Sequence, residues 1–199
     1  MPRGKREEVL DVASNYFLVN GYEGTSINVM AREAGISKES IYRYFGSKED
    51  LFKAVVAREL EVYRRGMENT ESDHGLSLAE ALQHVAEAAL KVLTTDRALA
   101  LRRLIFQMAA NGSAIGKYYY EVGPRIAYLN LKKIFDQHAM KSTFSSEKLS
   151  VYFISQALHT IMLERECGLL KKVSQKEIQK RSQTVVDDFI LAYFDLGDS

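Results

Sequence analysis

At 199 residues, with 46% apolar side chains and only two prolines, the chain can form a small domain joined to a larger one, and its composition favours helix. Its 27 Lys/Arg against 26 Asp/Glu leave a net charge of +1, which lends no global support to a nucleic-acid partner. The single cysteine, Cys167, excludes an intrachain disulfide framework and fits a reducing cytoplasm, and no apolar run approaches the roughly 18 residues of a membrane span.

The first helical pattern covers residues 4–20, with Val9, Val12, Ala13, Tyr16 and Phe17 on one face. Its start carries Glu7, Glu8 and Asp11 where a secretory leader would need apolar residues, so a cytoplasmic protein is expected. Arg3, Lys5 and Arg6 cluster at the start of the chain, readable as a mobile arm on phosphate or minor groove, or as a solvated tail. NGYEG at 20–24 is turn chemistry, and Thr25 is the expected cap of the next helix.

Residues 26–51, SINVMAREAGISKESIYRYFGSKEDL, hold the most informative pattern. Ile27, Met30, Ala31 and Ala34 recur on one helical face, Gly35 stops that helix, and Ser37 caps a second over Lys38–Phe45. Two helices joined by so tight a glycine turn predict a helix-turn-helix, whose second helix enters the DNA major groove. Charge is balanced here too: residues 1–65 hold 11 Lys/Arg and 10 Asp/Glu. Only the local placement of Lys38, Arg43 and Lys48 about the second helix favours DNA. Gly46 ends that helix, Ser47 and Asp50 resemble a capping box, and a third helix should run to about Arg65.

The polar stretch GMENTESDHGLS at 66–77 marks the expected boundary between domains 1–65 and 66–199. Five helical patterns follow. Leu78 to Leu93 is amphipathic; Asp96 is the expected cap of the next, which ends at Asn111–Gly112. A third spans about 113–140, kinked or broken at Gly123–Pro124. The fourth, about 146–168, and the fifth, about 174–196, carry more apolar surface than one core face needs, which predicts a subunit interface formed by both. The expected fold is therefore all-α, a three-helix head followed by a helical domain.

The residues Gly21-Tyr22, Thr25-Ser26-Ile27, Ala31, Ala34-Gly35-Ile36-Ser37, Ile41-Tyr42, Tyr44-Phe45, Ser47-Lys48-Glu49 and Leu51-Phe52 together resemble the head of the TetR family of one-component transcriptional regulators. RRLIFQMAANGS and YEVGPR add a looser likeness to the ligand domain of one branch. The resemblance implies a homodimer that sets two recognition helices in successive major grooves of a palindromic operator, about 34–36 Å apart or a multiple of it. It also implies release by a small-molecule effector bound in the C-terminal domain.

On that reading Tyr42 reaches phosphate or a base edge, Tyr44 makes a backbone contact, and Lys48 meets a phosphate although a cation is unfavourable in the first turn of a helix. Thr25 and Ser26 lie at a helix N-terminus suited to phosphate. Ser37, Lys38, Glu39, Ser40, Arg43 and Asn28 are the expected base and edge contacts. Glu39 departs from the small residue of many relatives, and two readings stay open: acceptance from a cytosine N4 amine, or an exposed carboxylate facing away. Expected effector-cavity liners are Phe106, Gln107, Tyr118, Tyr119, Tyr120, Tyr128, Tyr152, His159 and Met162. His159 and Cys167 share a helical face, but their spacing with Glu164 and Glu166 fits no metal site, and His159 is expected as a core histidine. No cofactor is expected. An enzyme is not expected either, because no nucleotide loop, HExxH or nucleophile–base pairing is present. The rival reading is a helical interaction protein that kept the fold without operator binding, favoured by Glu39 and the neutral head.

Overall fold

The computed structural model describes the backbone of residues 4–71, 75–138 and 142–194, and the side chains of all of these but 62–71. Every regular element among the described residues is a helix: α1 Lys5–Asn20, α2 Ile27–Glu33, α3 Lys38–Phe45, α4 Lys48–Glu71, α5 Leu78–Leu93, α6 Asp96–Ala110, α7 Ile115–Val122, α8 Pro124–His138, α9 Ser146–Glu166 and α10 Gln175–Tyr193. None of these helices is long and apolar enough to cross a membrane.

Local signals set most of the helix ends. Ser37, Ser77, Ser145 and Ser174 each accept a backbone N–H from three residues on, at α3, α5, α9 and α10. At Ser77 the arrangement is reciprocal, since Glu80 returns a carboxylate to the Ser77 N–H at 2.8 Å. Thr95, not Asp96, caps α6: its Oγ1 accepts the Ala98 N–H, leaving Asp96 in the first turn. The expected third C-terminal helix is two helices, broken at Gly123, because Pro124 has no N–H to continue α7 and instead opens α8 at its first position. Helix α4 runs six residues past the expected end near Arg65. Arg3, Met140 and Leu196 lie outside the described residues.

The chain packs as two units that do not follow chain order: residues 1–61 with 100–122, and residues 62–99 with 123–199. In the first, Val9, Ala13 and Phe17 of α1 meet Met30 of α2, Ile41 of α3, and Leu51, Phe52, Val55 and Val56 of α4. Leu101, Leu104 and Ile105 of α6 and Ile115 of α7 complete the same core. Each such buried side chain contributes roughly 1.5–3 kcal/mol of apolar burial. Polar ties hold α1 to α4 as well: Arg58 donates to Asp11 at 2.8 Å and to the Leu10 carbonyl at 3.1 Å.

In the second unit, α5, α8, α9 and α10 share a core of Leu82, Val85, Leu131, Phe135, Phe153, Ala157, Val186 and Phe189. Phe189 is its aromatic hub, edge-on to Phe153 at 5.1 Å and tilted against Phe135 at 5.9 Å. A smaller cluster gathers Leu90, Leu99, Ile161, Met162 and Ile178. Beside it Arg165 is buried, its guanidinium donating to the carbonyls of Thr94, Leu170 and Lys171 and to the Asp96 carboxylate.

Candidate nucleic-acid interface

Helix α3 is eight residues long, and its amphipathic spacing divides it cleanly. Ile41 and Phe45, four apart, are buried in the head core, and this fixes which side faces out. Lys38, Glu39, Tyr42, Arg43 and Tyr44 are exposed, with Ser40 half-buried between them. Tyr42 at 39% and Tyr44 at 40% exposure are large aromatics left in solvent, while Phe45 of the same helix is not. The turn ahead of α3 is tight because Gly35 adopts φ 63°, where a side chain would be strained, and the Ile36 N–H closes back on the Ala31 carbonyl at 3.0 Å. That geometry presents α2 and α3 as a helix-turn-helix. Asn28 of α2 and its cap Ser26 are exposed, whereas Ile27, Met30 and Ala31 are buried.

Four cations of the head rest on aromatic faces. Lys38 Nζ lies 5.7 Å from the Tyr42 ring centre, the Arg43 guanidinium 5.7 Å from Tyr44, Lys48 Nζ 4.6 Å from Tyr22, and the Arg6 guanidinium 5.0 Å from Phe45. Each such contact restrains a long side chain without cancelling its charge. Arg43 also donates to Ser40 at 3.4 Å. Glu39 turns back on its own helix start: hydrogen bonds from its own backbone N–H and from the Ser37 side chain hold its carboxyl below the ordinary carboxylate range. An ionised Glu39 therefore sits at the α3 N-terminus, where the helix dipole favours an anion.

Two expectations for this region change. Thr25 is 3% exposed, and its hydroxyl donates inward to the carbonyls of Gly21 at 2.6 Å and Tyr16 at 3.1 Å. It locks the α1–α2 turn, and Ser26 is the residue at the N-cap of α2, though without a side-chain cap bond. Lys5 and Arg6 belong to the first turn of α1 and not to an arm; Lys5 pairs with Glu8, and Arg6 docks on Phe45. The ring–cation pairs Tyr22–Lys48 and Arg6–Phe45 join residues 26 and 39 apart. No local sequence pattern announces them, although the aromatic and basic residue types were all in view.

The expected effector liners fall in both units. In the first, Tyr118 and Tyr119 are half-buried, Phe106 stands edge-on to Tyr119 at 6.2 Å, and Phe106, Gln107 and Tyr120 are exposed. In the second, Tyr128 is half-buried, Met162 is buried, and Tyr152 and His159 are exposed. His159 is thus not a core histidine: α9 buries Phe153, Ile154, Ala157, Ile161 and Met162, and His159 lies on the opposite face with Ser155 and Gln156. Cys167, at the α9 C-cap, is also exposed.

Residues 9–55 match the model of the bacterial regulatory proteins of the tetR family, and residues 80–195 match the C-terminal domain of AefR-like transcriptional repressors. Among curated proteins, the chain is 25% identical over 150 residues to the HTH-type transcriptional repressor AcnR of Corynebacterium efficiens, covering 68% of this chain and 80% of that protein. An HTH-type transcriptional regulator of Staphylococcus aureus is 26% identical over 123 residues, and the match spans 59% of this chain and 66% of that relative's length. Among solved structures, a TetR-family regulator of Mesorhizobium loti superposes with a TM-score of 0.81 at 25% identity, covering 96% of this chain and 97% of that one. The flavonoid-responsive regulator FrrA shares the fold at a TM-score of 0.78 and 23% identity, covering 97% and 98%. With both stretches matched, the exposed α3 face finds its context: the chain belongs to the TetR family of transcriptional regulators, with a C-terminal domain of the AefR-like type.

Proposed function

We propose that this regulator is a cytoplasmic homodimeric repressor that binds a palindromic operator through α3 and leaves it when a small molecule binds the C-terminal part. One observation carries the reading: α3 buries Ile41 and Phe45 and turns Lys38, Tyr42, Arg43 and Tyr44 outward as one polar, aromatic and basic face. Tyr42, Tyr44 and Lys48 are the backbone contacts, with Ser26 and Ser37 at helix starts, while Lys38, Ser40, Arg43 and Asn28 face base edges. Glu39, held by its own helix start, either accepts from a cytosine N4 amine or faces away from the bases. Residues 1–65 are the DNA-binding part, and 66–199 sense the effector and form the dimer through α9 and α10. Repression is supported by the match to the C-terminal domain of AefR-like repressors.

The effector shifts an equilibrium between a state whose α3 pair fits the grooves and one whose pair does not. A 100-fold loss of operator affinity requires about 2.7 kcal/mol of coupling. Mobility shifts with the DNA upstream of the chain's own coding sequence test the reading. Sequence-specific retardation that weakens steeply with added salt is expected, with Tyr42→Ala reducing affinity at least tenfold. Absence of any sequence-specific retardation at low salt would instead support the rival reading, a helical interaction protein whose head binds another protein.

A further inference from the structure

We propose that Tyr22 is a positioning residue for DNA binding: its ring is the shelf that holds the Lys48 ammonium ready for an operator phosphate. The inference rests on the reading of the head as a DNA reader and goes beyond it, because Tyr22 itself touches no DNA.

Lys48 opens α4, where the helix dipole disfavours a cation. Two neighbouring carboxylates are otherwise engaged. Asp50 accepts from the Ser47 hydroxyl at 2.6 Å, and Lys53 pairs with Glu49 at 3.0 Å and with Asp50 at 3.7 Å. Among the described residues Lys48 forms no ion pair; its ammonium lies 4.6 Å from the centre of the Tyr22 ring. That ring is itself fixed. It stacks on Phe17 at 5.7 Å and an 11° interplanar angle, and stands edge-on to Phe52 at 5.5 Å. The turn that carries it is closed by the Thr25 N–H on the Tyr22 carbonyl and by the Thr25 hydroxyl on Gly21. Burial pushes the Tyr22 phenol up, with the carboxylates of Glu49, Glu23 and Asp50 acting in the same direction, so the ring stays neutral.

An aromatic face suits this task better than a carboxylate would. It attracts the cation through its quadrupole, yet leaves the full positive charge and the N–H donors for an incoming anion. A carboxylate in its place would neutralise the charge and would have to be displaced by the phosphate. Holding the ammonium in advance removes part of the ordering entropy of a four-carbon side chain from the binding step.

The test is affinity and its salt dependence on a short duplex enriched from a random-sequence pool by the unmodified chain, with thermal unfolding recorded for every variant. Lys48→Ala should weaken binding and lower the log–log salt slope by about one per head. Tyr22→Leu should weaken binding about two- to fivefold per head with the slope kept. Tyr22→Phe should bind as the unmodified chain does, because the face is retained. In a Lys48→Ala background, Tyr22→Leu should add nothing. Phe52→Leu, which disturbs the same aromatic cluster without touching Lys48, is the control for packing. The proposal falls if Phe52→Leu weakens binding as much as Tyr22→Leu at a matched loss of stability, if Tyr22→Phe is as weak as Tyr22→Leu, or if the two losses add in the double variant. A Lys48→Ala variant with unchanged affinity and slope overturns it while leaving the regulator reading standing. An unmodified chain that enriches no duplex overturns both.

Discussion

Thr25 and Arg165 show what a single polar side chain does when the core closes over it. The Thr25 hydroxyl donates to the carbonyls of Tyr16 and Gly21 where α1 ends, and the Tyr16 carbonyl also accepts from Asn20 Nδ2. Thr25→Val keeps the shape and removes the donor. We expect a loss of about 1–2 kcal/mol in urea unfolding, with the DNA affinity of the folded fraction unchanged. Arg165 is the larger case, because its side chain is 5% exposed and serves three backbone carbonyls across two turns. Arg165→Met should destabilise the protein by about 3 kcal/mol or more, since those carbonyls lose their donor in a dry site. Asp96, its ionic partner, is 81% exposed. Asp96→Asn should therefore change stability by under about 1 kcal/mol, solvent screening leaving little of the Coulomb attraction. Denaturant midpoints of the two variants separate carbonyl satisfaction from ion pairing as the source of stability.

Among the helices, the serine caps tie stability to sequence most directly. Replacing Ser37 by Ala leaves the Ser40 N–H without its side-chain acceptor and should weaken α3 by about 1 kcal/mol, read as a lower midpoint and weaker DNA binding together. The α5 box has a pH signature. Hydrogen bonds from the Ser77 hydroxyl and backbone hold the Glu80 carboxyl below the ordinary carboxylate range, so the folded state binds that proton less readily than the unfolded chain. Its contribution is accordingly complete above the unfolded carboxylate range and is lost as pH falls through the depressed folded value. Unfolding curves of the natural chain and of Ser77→Ala should thus be further apart near neutrality than in acid, where only the Ser77 cap on the Glu80 N–H still separates them. The division between the two packed units falls within α6, with Asp96–Leu99 in one and residues 100–110 in the other.

For the whole molecule, the proposed dimer is the decisive expectation. Helices α9 and α10 leave Leu163 at 52% and Leu191 at 72% exposure, and Val151 and Tyr152 of α9 are exposed as well. Such side chains on the last two helices are what a second copy would cover. Leu163→Lys and Leu191→Lys should leave the unfolding of a monomer almost unchanged, yet shift light-scattering mass from two chains to one. Operator affinity should fall with it, because a single head loses the second half-site.

Helix ends, the helix-turn-helix and its outward face were legible in the chain because they depend on residues within about four positions of each other. Ser37 caps, Gly35 turns, and Ile41 with Phe45 marks the inner side by spacing alone. The break at Gly123–Pro124 is local in the same way, once proline's missing N–H is counted. Other features required the fold, because they join residues far apart. The stretch 100–122 shares a core with the head, from which it is far in sequence. His159 faces solvent because its helix buries the opposite face, and Thr25 turns inward because α1 ends above it. Lys48 was readable as a cation near a recognition helix; that Tyr22 lies beneath it was decided only in three dimensions. Periodicity and capping chemistry are written in neighbouring residues, whereas burial and the pairing of a charge with a ring are properties of surfaces that meet only after folding.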